Sequence, residues 1–588
     1  MMSFKTLQRK ATLLLALFLT VGIVLQSCKK DDEVTPIPTI SVTNSALSGL
    51  PGADLSLAAS INAPGGLQSV TLLKNGAPLE TKTFAGESSA NYTYAYKIES
   101  LASGSTVNFS LQATDKAGQK SELSLITVTI SAIPAKQVVE VKGLLTGNVN
   151  WTKDKIYKLV GFVRVGADTT QVANAGATTG TLTIEAGTVI IGDRATKGTL
   201  IVQRGSKIIA NGTASAPIVF TSERDPGARE PGDWGGLVIC GKAINNRAGG
   251  SDQLEGGYKA WHGGTDDTDN SGSLKYVRVE YAGVPINPNQ EVNSFTFGSV
   301  GNGTTMDYLM ASYGLDDSFE WFGGSANAKH LIAYRGLDDD FDVDFGFHGN
   351  IQFAVGLRGT TQADQSGSNG FEVDNDGQGT AAEPFTSATF ANVSIIGAKA
   401  AAETSISLQF QNGMHLRRNN KLKIYNTFVT AYPNGVYIDG STTAANAAKG
   451  DLVLKGIVVA GVDKWGDNGF GTGGSVTFTP RGFAIRDIDT ATPSNNLLIG
   501  TETPSAWFAK QTGNQLLANY TLAGINAGIF NATPNFTINT AATNSLTKGA
   551  VALPSGFETA NYIGAFNGTT DWTSGWAEYN PDAKNYKQ

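Results

Sequence analysis

Cysteine is almost absent from this chain: two residues in 588, Cys28 and Cys240. Histidine is nearly as scarce, and charged residues make up only 16% of the sequence. Each shortage excludes something. With Cys28 closing a leader, Cys240 has no partner for an intrachain disulfide, so the fold must hold by packing. The four histidines, His262, His330, His348 and His415, show no H-x-H or H-E-x-x-H spacing, which argues against a zinc site. There is no P-loop and no strand–glycine loop–helix unit for a nucleotide. Basic residues are outnumbered, at a formal charge of −7. Residues 1–27 hold three bases (Lys5, Arg9, Lys10) and no acid, so their removal makes the chain more acidic still. Such a surface argues against nucleic acid as a partner, and against anionic polymers unless a cation mediates. Helix-favouring Ala/Glu/Lys/Leu blocks are missing, while short β-rich runs broken by Gly and Asn are everywhere, which predicts an all-β chain.

What is present begins with an address. The basic start and the apolar run from Ala11 to Leu25 end at Leu25-Gln26-Ser27-Cys28. The run is short for a membrane span and reads as a secretory leader, 1–27, cleaved before a cysteine that then carries lipid. No second apolar stretch could span a bilayer. Lys29-Lys30-Asp31-Asp32-Glu33 resembles the charged export signal of Bacteroidota surface lipoproteins. That resemblance implies a lipid anchor in the outer membrane, facing the cell exterior. Residues 28–38 are polar, include Pro36 and Pro38, and read as a tether.

From 39 to 133, alternating runs such as Tyr92-x-Tyr94-x-Tyr96 and Ile126-x-Val128-x-Ile130 predict a β-sandwich, with Asn75-Gly76 as a hairpin turn. Ala113-Thr114-Asp115-Lys116-Ala117-Gly118 resembles the late strand and turn of bacterial immunoglobulin-like modules, which implies a spacer. Ile133-Pro134-Ala135 marks a boundary, and beyond it the chain repeats itself. Gly180–Gly187 recurs at Gly198–Gly205, and Gly314-Leu315-Asp316-Asp317-Ser318-Phe319-Glu320-Trp321 recurs at Gly336-Leu337-Asp338-Asp339-Asp340-Phe341-Asp342-Val343. A β repeat this short cannot bury its apolar face alone and must stack on copies of itself. The expected fold is therefore a right-handed parallel β-helix of a dozen or more coils over 137–500, with 501–588 capping it or wrapping back along it.

Three segments carry a more specific resemblance: Pro231–Lys242 with its Asp233-Trp234-Gly235-Gly236, Asp269–Gly272 with Leu274–Glu280, and Tyr562–Phe566 with Trp572 and Trp576. Together they resemble a family of large Bacteroidota outer-membrane lipoproteins with a pectin-lyase-like β-helix, over roughly 140–588. The resemblance implies an accessory role beside an outer-membrane transporter and names no reaction.

One column of the repeats could carry chemistry. If Phe319-x-Trp321, Phe341-x-Val343 and Phe371-x-Val373 point inward, Glu320, Asp342 and Glu372 point outward, as do Asp344 and Asp374. Carboxylates about 5 Å apart across coils repel, so a bound cation, a shared proton or a basic neighbour must relieve them. Calcium suits such oxygen-rich sites, with Asp342, Asp344, Glu372, Asp374 and Asp376 as candidate ligands. Asp267 and Asp269 open a D-x-D-x-S-G calcium-loop pattern, whose twelfth position is Arg278 and not Glu. Glu320, Asp316 and Asp338 are candidate ligand-binding residues on the same face. The bland alternatives are a solvated acidic face and, for Asp316-Asp317 and Asp338-Asp339, turn-capping aspartates. Trp234, Tyr258, Trp261 and Trp321 would stack on sugars if exposed. Three functional readings follow: a binding or accessory protein with a cation on its acidic face and a polysaccharide or transporter as partner; a polysaccharide hydrolase or lyase using the same carboxylates, with Lys329 or Arg335 as a lyase base; or a structural surface protein.

Overall fold

The computed structural model describes residues 35–168, 178–287, 290–401, 403–461, 482–487, 497–539 and 546–588; Cys28, the leader and most of the tether lie outside the described residues. The chain divides into two compact units, 1–134 and 135–588.

The first unit is a β-sandwich. Strands Thr39–Val42, Asp54–Asn62 and Ser89–Lys97 form an antiparallel sheet, and Ala46–Gly49, Ser124–Ile130, Thr106–Asp115, Leu67–Lys74 and Ala77–Thr83 form the other. Alternation puts Leu57, Ile61, Val70, Leu72, Tyr92, Phe109, Leu111 and Val128 into one shared core. Asn75 and Gly76 take φ of 49° and 85°, as a tight hairpin turn demands. The buried Asp115 carboxylate accepts the N–H groups of Ala117 and Gln119, which explains the Asp-Lys-Ala-Gly turn.

The second unit is a parallel β-helix whose strands form one continuous 24-stranded sheet folded into three faces. In a middle coil, 305–307 belongs to the first face, 309–312 to the second and 319–324 to the third, each pairing in parallel with the coils before and after. Single strands run across the first two faces and bend between them at one residue in the left-handed region: Tyr276, Tyr308, His330, Phe353, Asn392, Asn426 and Gly456. Non-glycine residues pay about 1 kcal/mol or more for this conformation. Stacking offsets part of it, with ring centroids 4.4 Å apart for Tyr276–Tyr308, 4.2 Å for Tyr308–His330 and 5.2 Å for His330–Phe353. Inside, rings stack along the third face: Phe295, Phe319, Phe341 and Phe371, at 5.0, 5.8 and 5.4 Å.

Residues 546–588 run back along the helix. The Asn426 side chain bonds Val551 in both directions, Asn392 donates to the Tyr562 carbonyl, Arg278 donates to the Trp576 carbonyl, and the Lys136 N–H donates to the Lys587 carbonyl. This segment covers the apolar outer surface of the second face, packing Ile563, Phe566 and Trp576 with Met310, Ile332, Val355 and Phe428.

Candidate functional site

The third face carries the acid. Register places Glu320 beside Asp342 and Asp342 beside Glu372, with His415 and then Tyr437 continuing the row. Two residues before each inward residue of this face (Phe295, Phe319, Phe341, Phe371, Met414 and Val436) runs a second column: Asn293, Asp317, Asp339, Asn369, Asn412 and Asn434. It is a ladder of side chains between coils. Asp317 Oδ1 accepts the Asp339 N–H (2.7 Å) and Asp339 Oδ1 accepts the Asn369 N–H. Asn412 Nδ2 donates to Asn369 Oδ1 (2.9 Å), and Asn434 Nδ2 to Asn412 Oδ1 (3.1 Å). Amides fill this column except at 317 and 339, where carboxylates stand in their place. A carboxylate has no N–H to give, so Asp317 and Asp339 each keep an oxygen outside the ladder.

Three trios of carboxylates result, each with oxygens within 4.8 Å of one another: Asp316, Asp317 and Asp338; Asp317, Glu320 and Asp342; Asp339, Asp342 and Glu372. Asp316, Asp317, Glu320, Asp338 and Asp342 floor a groove of about 640 Å³, with Glu255 and Glu291 contributed by two separate segments and Asp364 and Ser366 by the loop before Phe371. Asp317 and Glu320 are only 6% and 7% exposed, so this is not a solvated acidic face. Burial first, and like charge second, push Asp316, Asp317, Glu320, Asp339 and Asp342 well above the carboxylate range. Burial also raises Asp338 to about 7, with Glu372 adding to it, and Glu255 to about 7, with Glu291 adding to it.

Other predicted residues are employed differently. Asp374 is held by Arg417 (2.8 Å) and Arg418 (2.5 Å), and Arg417 also grips Glu372. Asp376 caps a turn; burial opposes its ionisation, but bonds from the Thr380 hydroxyl and the Gln378, Gly379 and Thr380 N–H groups outweigh that and lower its pKa. Asp344 caps its neighbour Phe345, and burial with Asp374 nearby raises it to about 8. Of the five residues predicted from the column as calcium ligands, only Asp342 and Glu372 enter a trio; Asp344, Asp374 and Asp376 do not.

The two aspartates of the calcium-loop pattern lie apart from the trios. Asp267 accepts the Ile244 N–H and faces His348, and Asp269 accepts the Lys242 N–H. Both carboxylates close a loop onto neighbouring coils, and neither joins a carboxylate cluster among the described residues. The aspartate doublets divide between the two readings: Asp317 and Asp339 cap N–H groups of the next coil, while Asp316 and Asp338 line the groove. Trp234 and Trp321 are fully buried and Tyr258 nearly so, leaving only Trp261 of the four proposed sugar platforms partly exposed. Lys329 pairs with Glu558 on the first face; the basic groups at the acid row are Arg417 and Arg418. The Asn/Asp-x-Phe spacing before each coil was the available signal for the ladder, whereas nothing in the sequence marked Glu255, Glu291 or Asp364 as neighbours of the column.

Residues 143–469 match the pectate-lyase like beta helix domain. The chain belongs to that family. No curated protein matches this pectate-lyase-like chain. Among solved structures it is similar to fibronectin(III)-like modules of Clostridium thermocellum CbhA, at 19% identity over 16% of this chain and 47% of that one, with a TM-score of 0.14. It is also similar to the family 28 exopolygalacturonase of Yersinia enterocolitica, at 12% identity over 73% of this chain and 93% of that one, with a TM-score of 0.17.

Proposed function

We propose that the protein captures polysaccharide in the acidic groove of its third face, with a divalent cation, calcium by its chemistry, neutralising the carboxylates. The observation that carries this reading is the convergence of Asp316, Asp317, Glu320, Asp338, Asp339, Asp342 and Glu372 in overlapping trios. The donor set is all oxygen, which suits a hard cation. Asn293 Oδ1, Asp338 Oδ1 and Asp342 Oδ1 are buried acceptors without a hydrogen-bond donor among the described residues, and a cation gives such oxygens a partner. When bound, the ion neutralises the floor and offers its open positions to oxygens of the ligand. Glu255, Glu291 and Asp364 wall the groove, and Arg417 holds Glu372 in place at one end of the row.

In this reading the lipid on Cys28 anchors the protein at the outer face of the outer membrane, where it serves as a binding or accessory module beside a transporter. Two measurements test it. Calcium raises the melting temperature with reversal by EDTA, and polygalacturonate retards the protein in a native gel only with calcium present; failure of both sinks the reading. Purification from native membranes in mild detergent identifies the partner, and recovery of the protein alone counts against the accessory role.

A second reading, a hydrolase on the same groove, draws on Asp338. A carboxyl raised to about 7 beside other carboxyls is suited to general acid catalysis near neutral pH. Release of reducing ends from a polysaccharide panel, abolished by Asp342→Asn, would establish it.

A further inference from the structure

A second groove, of about 440 Å³, lies on the first face, between the strands of three successive coils and the returning segment at Gly556 and Phe557. Its floor is built by register. Thr305 pairs with Asn327, and Asn327 Oδ1 accepts the Asn350 N–H (2.9 Å). Beside them run Asp307, Lys329 and Gln352, also in register. The charges here are spent within the protein: Asp307 bonds His330 (2.7 Å) and Lys329 pairs with Glu558. Gln352 bonds the Glu558 backbone through both its amide nitrogen and its oxygen, which pins the wall of the groove.

What remains open is neutral. The Thr305 hydroxyl, the Asn327 amide nitrogen and the Asn350 amide face the groove in steps of one coil, about 4.8 Å each. Among the described residues, no hydrogen bond within the protein engages these groups. Phe557 supplies the apolar surface. Its ring belongs to none of the hydrophobic clusters and stands between this groove and a neighbouring cavity of about 390 Å³. An aromatic ring with no part in the core, beside a repeating row of amides and a hydroxyl, matches a pyranose, which has an apolar face and a rim of hydroxyls.

We infer that this groove is a second saccharide site, selective for uncharged glycan chains and independent of the cation at the acidic groove. The test is native gel retardation of the full-length protein, in mild detergent with EDTA, by hydroxyethyl cellulose, xylan and galactomannan. At least one of these is expected to retard the protein. Phe557→Ala should weaken that retention about tenfold, the loss of one aromatic stacking contact. Thr305→Val, which removes only a hydroxyl, should weaken it less. Asp342→Asn should leave it unchanged, which separates this site from the acidic groove. A cooperative thermal transition no lower than the parent's confirms that each variant folds. The inference is overturned if none of the three polymers retards the protein, if Phe557→Ala binds as well as the parent, or if retention depends on Asp342.

Discussion

Replacing Asp342 by Asn should stabilise the calcium-free protein at pH 8 and abolish most of its response to calcium. Asp342 belongs to two trios, with Asp317 and Glu320 on one side and Asp339 and Glu372 on the other. Two ionised carboxylates within 4.8 Å of each other repel by about 3 kcal/mol or more at an effective dielectric of about 20. The folded protein avoids much of this by retaining protons. Burial and like charge hold Asp338 and Glu255 at about 7 and Asp344 at about 8, against about 4 when unfolded. A carboxyl with a raised folded pKa contributes stability that is complete below its unfolded value and is lost as pH rises through the folded one. The calcium-free protein should therefore weaken steadily between about pH 4 and pH 8. An amide at 342 cannot ionise as pH rises and gives Glu320 or Glu372 a donor, a gain of up to about 3 kcal/mol. For a unit spanning 135–588, this corresponds to a rise of about 3 °C, since unfolding entropy scales with chain length. The assay is thermal unfolding of parent and variant at pH 5 and pH 8, with calcium or EDTA. The parent should gain stability from calcium at pH 8 and little at pH 5, where protons hold the site. If the variant is less stable than the parent in EDTA at pH 8, or keeps the full calcium response, the account of the groove is wrong.

Arg417→Met should destabilise the second unit by about 3 kcal/mol, because Glu372 and Asp374 lose their shared counter-charge while buried; denaturant midpoints measure this. Asn412→Ala removes two ladder bonds, one donated to Asn369 and one accepted from Asn434, and should cost about 2 kcal/mol, with hydrogen exchange rising first at the neighbouring coils. Trp576→Ala should cost about 4 kcal/mol and make the returning segment a preferred site of proteolysis, since this ring is buried between that segment and the second face. Cys28→Ala should move the protein from the membrane fraction to the soluble one; retention in the membrane would refute the lipid anchor.

Much of the architecture was legible because β structure writes itself in short periods. The repeat of Gly314–Trp321 at Gly336–Val343 is one full coil, and the structure pairs Phe319 with Phe341 and Glu320 with Asp342 in that register. The bends were not legible. Tyr308 and His330 open the segments Tyr308–Ala311 and His330–Ala333, which read as straight strands, and the stacked neighbours with the covering Trp572 and Trp576 support their left-handed backbone. The aspartate doublets were legible only in part, for a related reason. Alternation separates Asp316 from Asp317, but which side becomes a ladder depends on an N–H one coil away.

The sequence by itself determined the all-β composition, the repeat and the outward row of Glu320, Asp342 and Glu372, since each rests on local order and a period of two. Tertiary structure alone decided that Glu320 is buried and Asp342 and Glu372 half-buried, that Asp317 and Asp339 complete the trios of this row, and that Glu255, Glu291 and Asp364 wall it in. Burial and charge proximity are properties of residues brought together from distant parts of the chain, and they turn a run of acids into a groove able to hold protons or a cation.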